Sequence, residues 1–291
     1  MPTTELDRPG PPLDLTRRDF VRTAVGSGFA AAVLPVNAQE IRTDTEGLQV
    51  GEVTIPVGDF KMPAYRAMPA GARGNLPVVL VVSEIFGVHE HIADVARRFA
   101  KRGYLAIAPE LFVRQGDAQS YGEIGKLIAE VVSKVPDAQV MADLDGAVAW
   151  AEAQGGDTAR LGVTGFCWGG RITWLYSAHN PAVKAGVAWY GQLTGAPNAL
   201  KPTHPVDVAG RLHAPVLGLY GAEDTGIPLA AVEQMKAALA AGNVAARASQ
   251  FVVYPGAGHA FHADYRPSFQ KAAAEDGWAR CVAWLQANGV Q

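Results

Sequence analysis

The chain has no run of five or more like charges, only 18% charged residues and a formal net charge of −3. A phosphate backbone or an anionic membrane surface requires clustered Lys and Arg, so nucleic acid and polybasic membrane contacts are excluded as partners. Cysteine is scarce as well: Cys167 and Cys281 are the only two, so one disulfide is the most the chain can form. Long hydrophobic runs are missing. The apolar stretch from Thr23 to Leu34 covers about a dozen residues, too short to cross about 30 Å of hydrocarbon as a helix, so no stable membrane anchor is expected. No low-complexity segment, fixed-period repeat or Gly/Ser linker interrupts residues 45–291. What is present is a 291-residue chain with 49% hydrophobic residues, the profile of a globular enzyme.

The N-terminus reads as an address rather than as part of the fold. Thr16-Arg17-Arg18-Asp19-Phe20-Val21 precedes the short apolar run, and Val36-Asn37-Ala38 offers a small-residue cleavage site. This resembles a twin-arginine signal, which implies engagement of that export machinery and a periplasmic or otherwise exported product. Residues 1–38 are therefore set apart as a signal, and residues 39–291 are expected to form one domain.

Within that domain, strands and helices alternate. Val78-Val79-Leu80-Val81-Val82 is continuously apolar, as a central parallel strand buried on both faces must be. Further strands are predicted at 104–108, 161–164, 185–190, 216–220 and 250–254, after an edge hairpin over Leu48–Ala67. Helices are predicted at 92–102, 121–132, 137–153, from about 169, at 229–241 and at 269–286. The fold class that follows is α/β: a mostly parallel sheet with helices on both faces.

Gly165-Phe166-Cys167-Trp168-Gly169 follows one of these strands and opens a helix. It is the G-x-nucleophile-x-G turn with cysteine at the nucleophile position. The flanking positions must lack bulk for so sharp a turn, and the helix N-terminus favours an anion beside the thiol. Two later strands end in Glu223-Asp224 and in Gly258-His259. A histidine can take the thiol's proton, and an acid can fix its tautomer, so Asp224 and His259 complete the expected set, with Glu223 the alternative acid. The strand ending at Val82 runs into Ser83-Glu84-Ile85-Phe86-Gly87, which places a further carboxylate, Glu84, at the same sheet edge. The backbone N–H groups of Ile85 and Trp168 are the expected oxyanion donors. Phe86, Trp189, Tyr190 and His262 are candidates for the pocket wall, although Trp168, Trp189 and Tyr190 could equally be core. Cys281, in a helical apolar pattern, reads as a buried structural thiol.

Glu84-Ile85-Phe86-Gly87, Gly165-Phe166-Cys167-Trp168-Gly169-Gly170, Asp224 and Gly258-His259-Ala260-Phe261 together resemble the dienelactone hydrolase (carboxymethylenebutenolidase) family over residues 48–289. The resemblance implies an α/β-hydrolase acting on a small-molecule lactone or enol ester, without metal or cofactor, through an acyl-cysteine. It also implies that Glu84 contacts the resting thiol and is displaced, or takes its proton, when substrate binds. The family's two carboxylate-holding arginines are not matched: Ala263 stands at one position and Lys126 is the nearest cation to the other, leaving Arg114, Arg171 and Arg266 as possible substitutes. Two other readings compete. An exported redox or stress protein could use Cys167 as a sensor, although no resolving cysteine lies near it in sequence, and a non-catalytic binding scaffold would not need the acid and histidine.

Overall fold

The structure, a computed structural model, describes residues 41–291; the predicted signal over residues 1–38 lies outside the described residues. Leu76–Val82 (β3) shows why the sheet is buried on both sides. Val78, Leu80 and Val82 join the core on one face, while Val79 and Val81 join the core on the other, and all five have no exposed surface. Alternation along a strand with apolar residues at every position produces two cores separated by one sheet.

The other strands are β1 (Leu48–Val57), β2 (Phe60–Pro69), β4 (Leu105–Pro109), β5 (Gly156–Phe166), β6 (Val183–Trp189), β7 (Val216–Gly221) and β8 (Gln250–Tyr254). They form one eight-stranded sheet in the order β1-β2-β4-β3-β5-β6-β7-β8. Only the β1–β2 and β2–β4 pairings are antiparallel; the remainder are parallel. The helices are α1 (Glu90–Ala100), α2 (Ile124–Glu130), α3 (Asp137–Ala153), α4 (Trp168–His179), α5 (Pro205–Val208), α6 (Leu229–Ala240), α7 (Val244–Ala248) and α8 (Lys271–Ala287). α1 and α8 pack on one face and α3 and α4 on the other. Among the described residues no helix is long and apolar enough to cross a membrane.

Several predicted boundaries shift, the strand predicted at 161–164 most of all, which runs over Gly156–Phe166. The helix predicted over 121–132 shortens to α2, and Val132–Lys134 forms a tighter turn. The last helix begins at Lys271 rather than at 269, because Gln270 N–H bonds back to the Phe261 carbonyl at 3.0 Å and holds the chain out of helical register. For the site, the important consequence of parallel pairing is that β3, β4, β5, β6, β7 and β8 all end at the same edge. The residues that follow them, although remote in sequence, share one rim.

Candidate active site

Cys167 sits between β5 and α4 with φ 53° and ψ −111°, a conformation non-glycine residues avoid. Three contacts impose it. Cys167 N–H donates to the Trp189 carbonyl at 2.9 Å, and its own carbonyl accepts from Gly170 and Arg171 as α4 starts. The turn closes so tightly that a Cβ on Gly165 would lie 2.2 Å from the Gly169 carbonyl oxygen, and one on Gly169 would lie 2.3 Å from the Val82 carbonyl oxygen. Glycine is therefore required at both positions by backbone approach.

Asp224, three residues beyond β7, is buried, and its side chain is divided between two tasks. Oδ1 accepts the N–H groups of Gly226 and Ile227 at 2.9 and 3.1 Å, which pins the carboxylate. Oδ2 accepts from His259 Nδ1 at 2.7 Å. Glu223, the alternative acid, is exposed to solvent. Bonding through Nδ1 leaves Nε2 of His259 as the working nitrogen. Burial works against a charged imidazole here, but the Asp224 hydrogen bond and the Cys167 thiol outweigh it and carry His259 up to about 10. The arrangement favours a protonated imidazole at this position.

The amides of Ile85 and Trp168 find no acceptor among the described residues, so both can receive a developing oxyanion. The Trp168 side chain points away into the core, 4.7 Å between ring centroids from Phe112. Tyr190, just beyond β6 with φ 37°, packs edge-on to His259 at 5.2 Å, and its buried hydroxyl has no partner among the described residues. Phe86 is partly exposed beneath the Arg266 guanidinium, 5.2 Å from it. Trp189 and His262 are core residues instead of wall residues. Trp189 has no exposed surface and donates to Thr164 Oγ1 at 3.1 Å. His262 is enclosed by Phe166, Trp189 and His91, and burial holds its imidazole well below the usual range.

Glu84 is 3% exposed, and both its oxygens are engaged: Oε2 accepts from His89 Nε2 at 3.1 Å and Oε1 from the Tyr265 hydroxyl at 3.3 Å. Burial disfavours its charge, but the charge and hydrogen bond of His89, reinforced by His91, hold the carboxyl down at about 2. Neither His89 nor Tyr265 was legible as part of the site. The available signal was a histidine at the helix start, five residues beyond Glu84.

The substitute arginines separate cleanly. Arg114 is spent on Asp143 at 2.5 and 2.7 Å, and Arg171 is buried against Asp137 at 2.7 Å through both nitrogens. Lys126 is exposed on α2. Arg266 alone of the three has no carboxylate partner among the described residues while lying beside Phe86. Both cysteines are free thiols; Cys281 is fully buried, and burial pushes its thiol up to about 12.

A mostly parallel sheet in this strand order, with the sharp turn after β5, is the α/β-hydrolase fold, and the chain is an α/β-hydrolase. Comparison with known proteins narrows this: the Dienelactone hydrolase family matches residues 62–289, and the chain belongs to that family. It is 62% identical over 278 residues to a Methylorubrum extorquens protein named for carboxymethylenebutenolidase activity, covering 95% of this chain and 94% of the relative. A Klebsiella pneumoniae structure described as a dienelactone hydrolase superposes with TM-score 0.80 at 58% identity, covering 82% of this chain and 98% of that one. A more distant relative, 30% identical over 83% of this chain and 96% of its own length, is a Bradyrhizobium protein named for 2-oxo-3-(5-oxofuran-2-ylidene)propanoate lactonase activity. The chain is accordingly a carboxymethylenebutenolidase-like hydrolase.

Proposed function

We propose that this hydrolase opens lactones or enol esters through an acyl-cysteine on Cys167, with His259 as base and Asp224 as its orienting acid. The observation that carries the reading is the His259–Asp224 bond of 2.7 Å at the rim that also presents Cys167 on its strained turn. His259 takes the thiol proton through Nε2, and the sulfur attacks the ester carbonyl carbon. The oxygen that gains charge is received by the Ile85 and Trp168 N–H groups. As the carbon–oxygen bond breaks, His259 returns its proton to the departing oxygen. Water, deprotonated by His259, then attacks the thioester and releases the acid and the thiolate.

The substrate class is an ester or lactone carrying a carboxylate, with Arg266 as its counter-charge. Support comes from the guanidinium over Phe86, which has no carboxylate partner among the described residues, and from the distant relative named for a lactone that is itself a propanoate. Arg266 follows His259 by seven residues, so a carboxylate held there is carried by the same loop as the base. Mixing enzyme with excess 4-nitrophenyl acetate should give a burst of nitrophenolate equal to the enzyme, with an acetyl group on Cys167 by mass. Unchanged turnover in Cys167→Ala would overturn the reading.

From the sequence pattern of residues 16–38 we also propose export through the twin-arginine route to the periplasm. Retention of an Arg17→Lys, Arg18→Lys double variant in the cytoplasm would support this, and unchanged fractionation would refute it.

A further inference from the structure

Glu110 and Gln119 take no part in the reaction outlined above, yet both grip the loop that carries one of its oxyanion donors. β4 runs parallel beside β3, so the residue that follows β4 meets the loop that follows β3. That loop, residues 83–89, presents the Ile85 N–H at the rim and the Phe86 ring under Arg266. It then turns at Gly87, with φ 74°, before α1 begins at Glu90. Glu110 is half-buried, and its own N–H donates to the Pro63 carbonyl at 2.9 Å, which fixes it to β2. Its Oε1 accepts the Val88 N–H, and the Val88 carbonyl accepts from Gln119 Nε2 at 3.1 Å. A Cβ on Gly87 would lie 2.9 Å from Glu110 Oε2 and 3.1 Å from Oε1, so the carboxyl sits against bare backbone.

A loop between a strand and a helix has few backbone partners of its own, so side chains or water must satisfy its polar groups. Here both backbone polar groups of Val88 are taken by side chains of the segment that follows β4, and Val88 itself is buried. A donor serves an oxyanion only where it is fixed at the place the charge develops, and a shift of about 1 Å forfeits much of its effect. We propose that Glu110 is a positioning residue: with Gln119 as a second hold, it fixes the turn at Gly87 and Val88 and so aims the Ile85 N–H at the substrate's carbonyl oxygen. Protonated or ionised, the carboxyl keeps an oxygen that accepts the Val88 N–H, so the grip persists on both sides of its titration. The proposal rests on the assignment of Cys167 as nucleophile and of the Ile85 N–H as oxyanion donor.

The test uses the full chain and compares two reactions of the same thiol. Acylation by 4-nitrophenyl acetate passes through an oxyanion; burst traces at several concentrations give its rate constant and the substrate dissociation constant. Alkylation by iodoacetamide joins sulfur to a saturated carbon and expels iodide, so no oxyanion forms. Because Cys281 is fully buried, alkylation reports Cys167. Glu110→Leu removes the acceptor, and Glu110→Gln keeps one. Glu110→Leu is expected to slow acylation about tenfold to a hundredfold, somewhat less than outright loss of an oxyanion donor. Its substrate dissociation constant should stay within about threefold and its alkylation rate within about twofold, because binding and the thiol's pairing with His259 do not use the Ile85 N–H. Glu110→Gln should stay within about threefold of the parent in all three measurements. Gln119→Leu should show the same selective loss on a smaller scale, about threefold to tenfold.

Unchanged acylation in Glu110→Leu overturns the proposal, and so does an equal fall in acylation and alkylation, which would mark general damage to the site. A Glu110→Gln variant as slow as Glu110→Leu overturns it too. If Glu110→Leu fails to fold, Gln119→Leu decides: acylation at the parental rate there overturns the proposal equally. Cys167→Ala is run in parallel. A full burst from that variant would defeat the nucleophile assignment, whereas its silence alongside parental acylation in the Glu110 and Gln119 variants would defeat only the role given to Glu110.

Discussion

Replacing Glu110 with glutamine should stabilise the protein near pH 8 and leave it almost unchanged near pH 4. Glu110 follows β4 and is half-buried; its Oε1 accepts the Val88 N–H, and its Oε2 lies 2.9 Å from where a Cβ on Gly87 would be. Burial, helped by the charges of Asp117 and Glu52, outweighs the Val88 bond and pushes the carboxyl from 4.5 up to about 7. The folded state therefore binds this proton more tightly than the unfolded state does. The stability it contributes is complete below about pH 4.5 and is lost as pH rises to about 7. The shift corresponds to a ceiling of about 3 kcal/mol, which partial solvent access reduces to about 1–2 kcal/mol. Glutamine keeps an acceptor for Val88 and removes the charge.

Other groups titrate in the same protein, but in different directions or windows. Glu84, held at about 2, gives stability that disappears only as pH falls below the ordinary carboxylate range. His259, at about 10, gives stability that fades as pH rises above about 6.5. Comparing variant with parent cancels both. Urea midpoints at intervals from about pH 4 to about pH 8 should show a difference near zero at the acid end, growing to about 1–2 kcal/mol in favour of glutamine. A difference independent of pH, or a glutamine variant less stable throughout, would refute the reasoning.

Three further outcomes follow from the site. Asp224→Asn should lower kcat/KM by about 10²- to 10⁴-fold and bring the His259 ionisation down from about 10, readable as a shift in the alkaline limb of Cys167 alkylation. Gly165→Ala drives a Cβ to 2.2 Å from a backbone oxygen that cannot retreat without moving α4, so it should cost at least about 1–3 kcal/mol in unfolding experiments; an unchanged Tm would contradict the packing described. Arg266→Ala should raise KM for a carboxylated lactone by about tenfold or more and leave the uncharged 4-nitrophenyl acetate nearly unaffected; equal effects on both would remove Arg266 from substrate recognition.

Much of the fold could be read from periodicity. The continuous apolarity of Val78–Val82 predicted a central strand, and β3 extends one residue pair beyond it, Leu76–Val82. Asp137–Ala153 and Gln250–Tyr254 begin and end where predicted. The short helices α5 and α7 went unseen, because four and five residues are too few to display a helical period. Two of the pocket candidates, Trp189 and His262, turned out to be core residues. An aromatic side chain beside an active strand end can face the rim or the sheet interior, and the strand's register decides which.

By itself the sequence determined what depends on neighbouring residues: the strand-turn-helix at Cys167, whose glycines are demanded by backbone approach, and the order of cysteine, aspartate and histidine after β5, β7 and β8. Tertiary structure decided everything that depends on partners brought from afar. Tyr265 meets Glu84 across 181 positions, and His91 meets Asp264 across 173. Arg114 and Arg171 are consumed by carboxylates that no local pattern assigns to them, which leaves Arg266 beside the rim. Charge and burial act through space, so a carboxylate at about 2 and another at about 7 can follow two similar apolar strands. Their sequences look alike, and only the groups folded against them set the two apart.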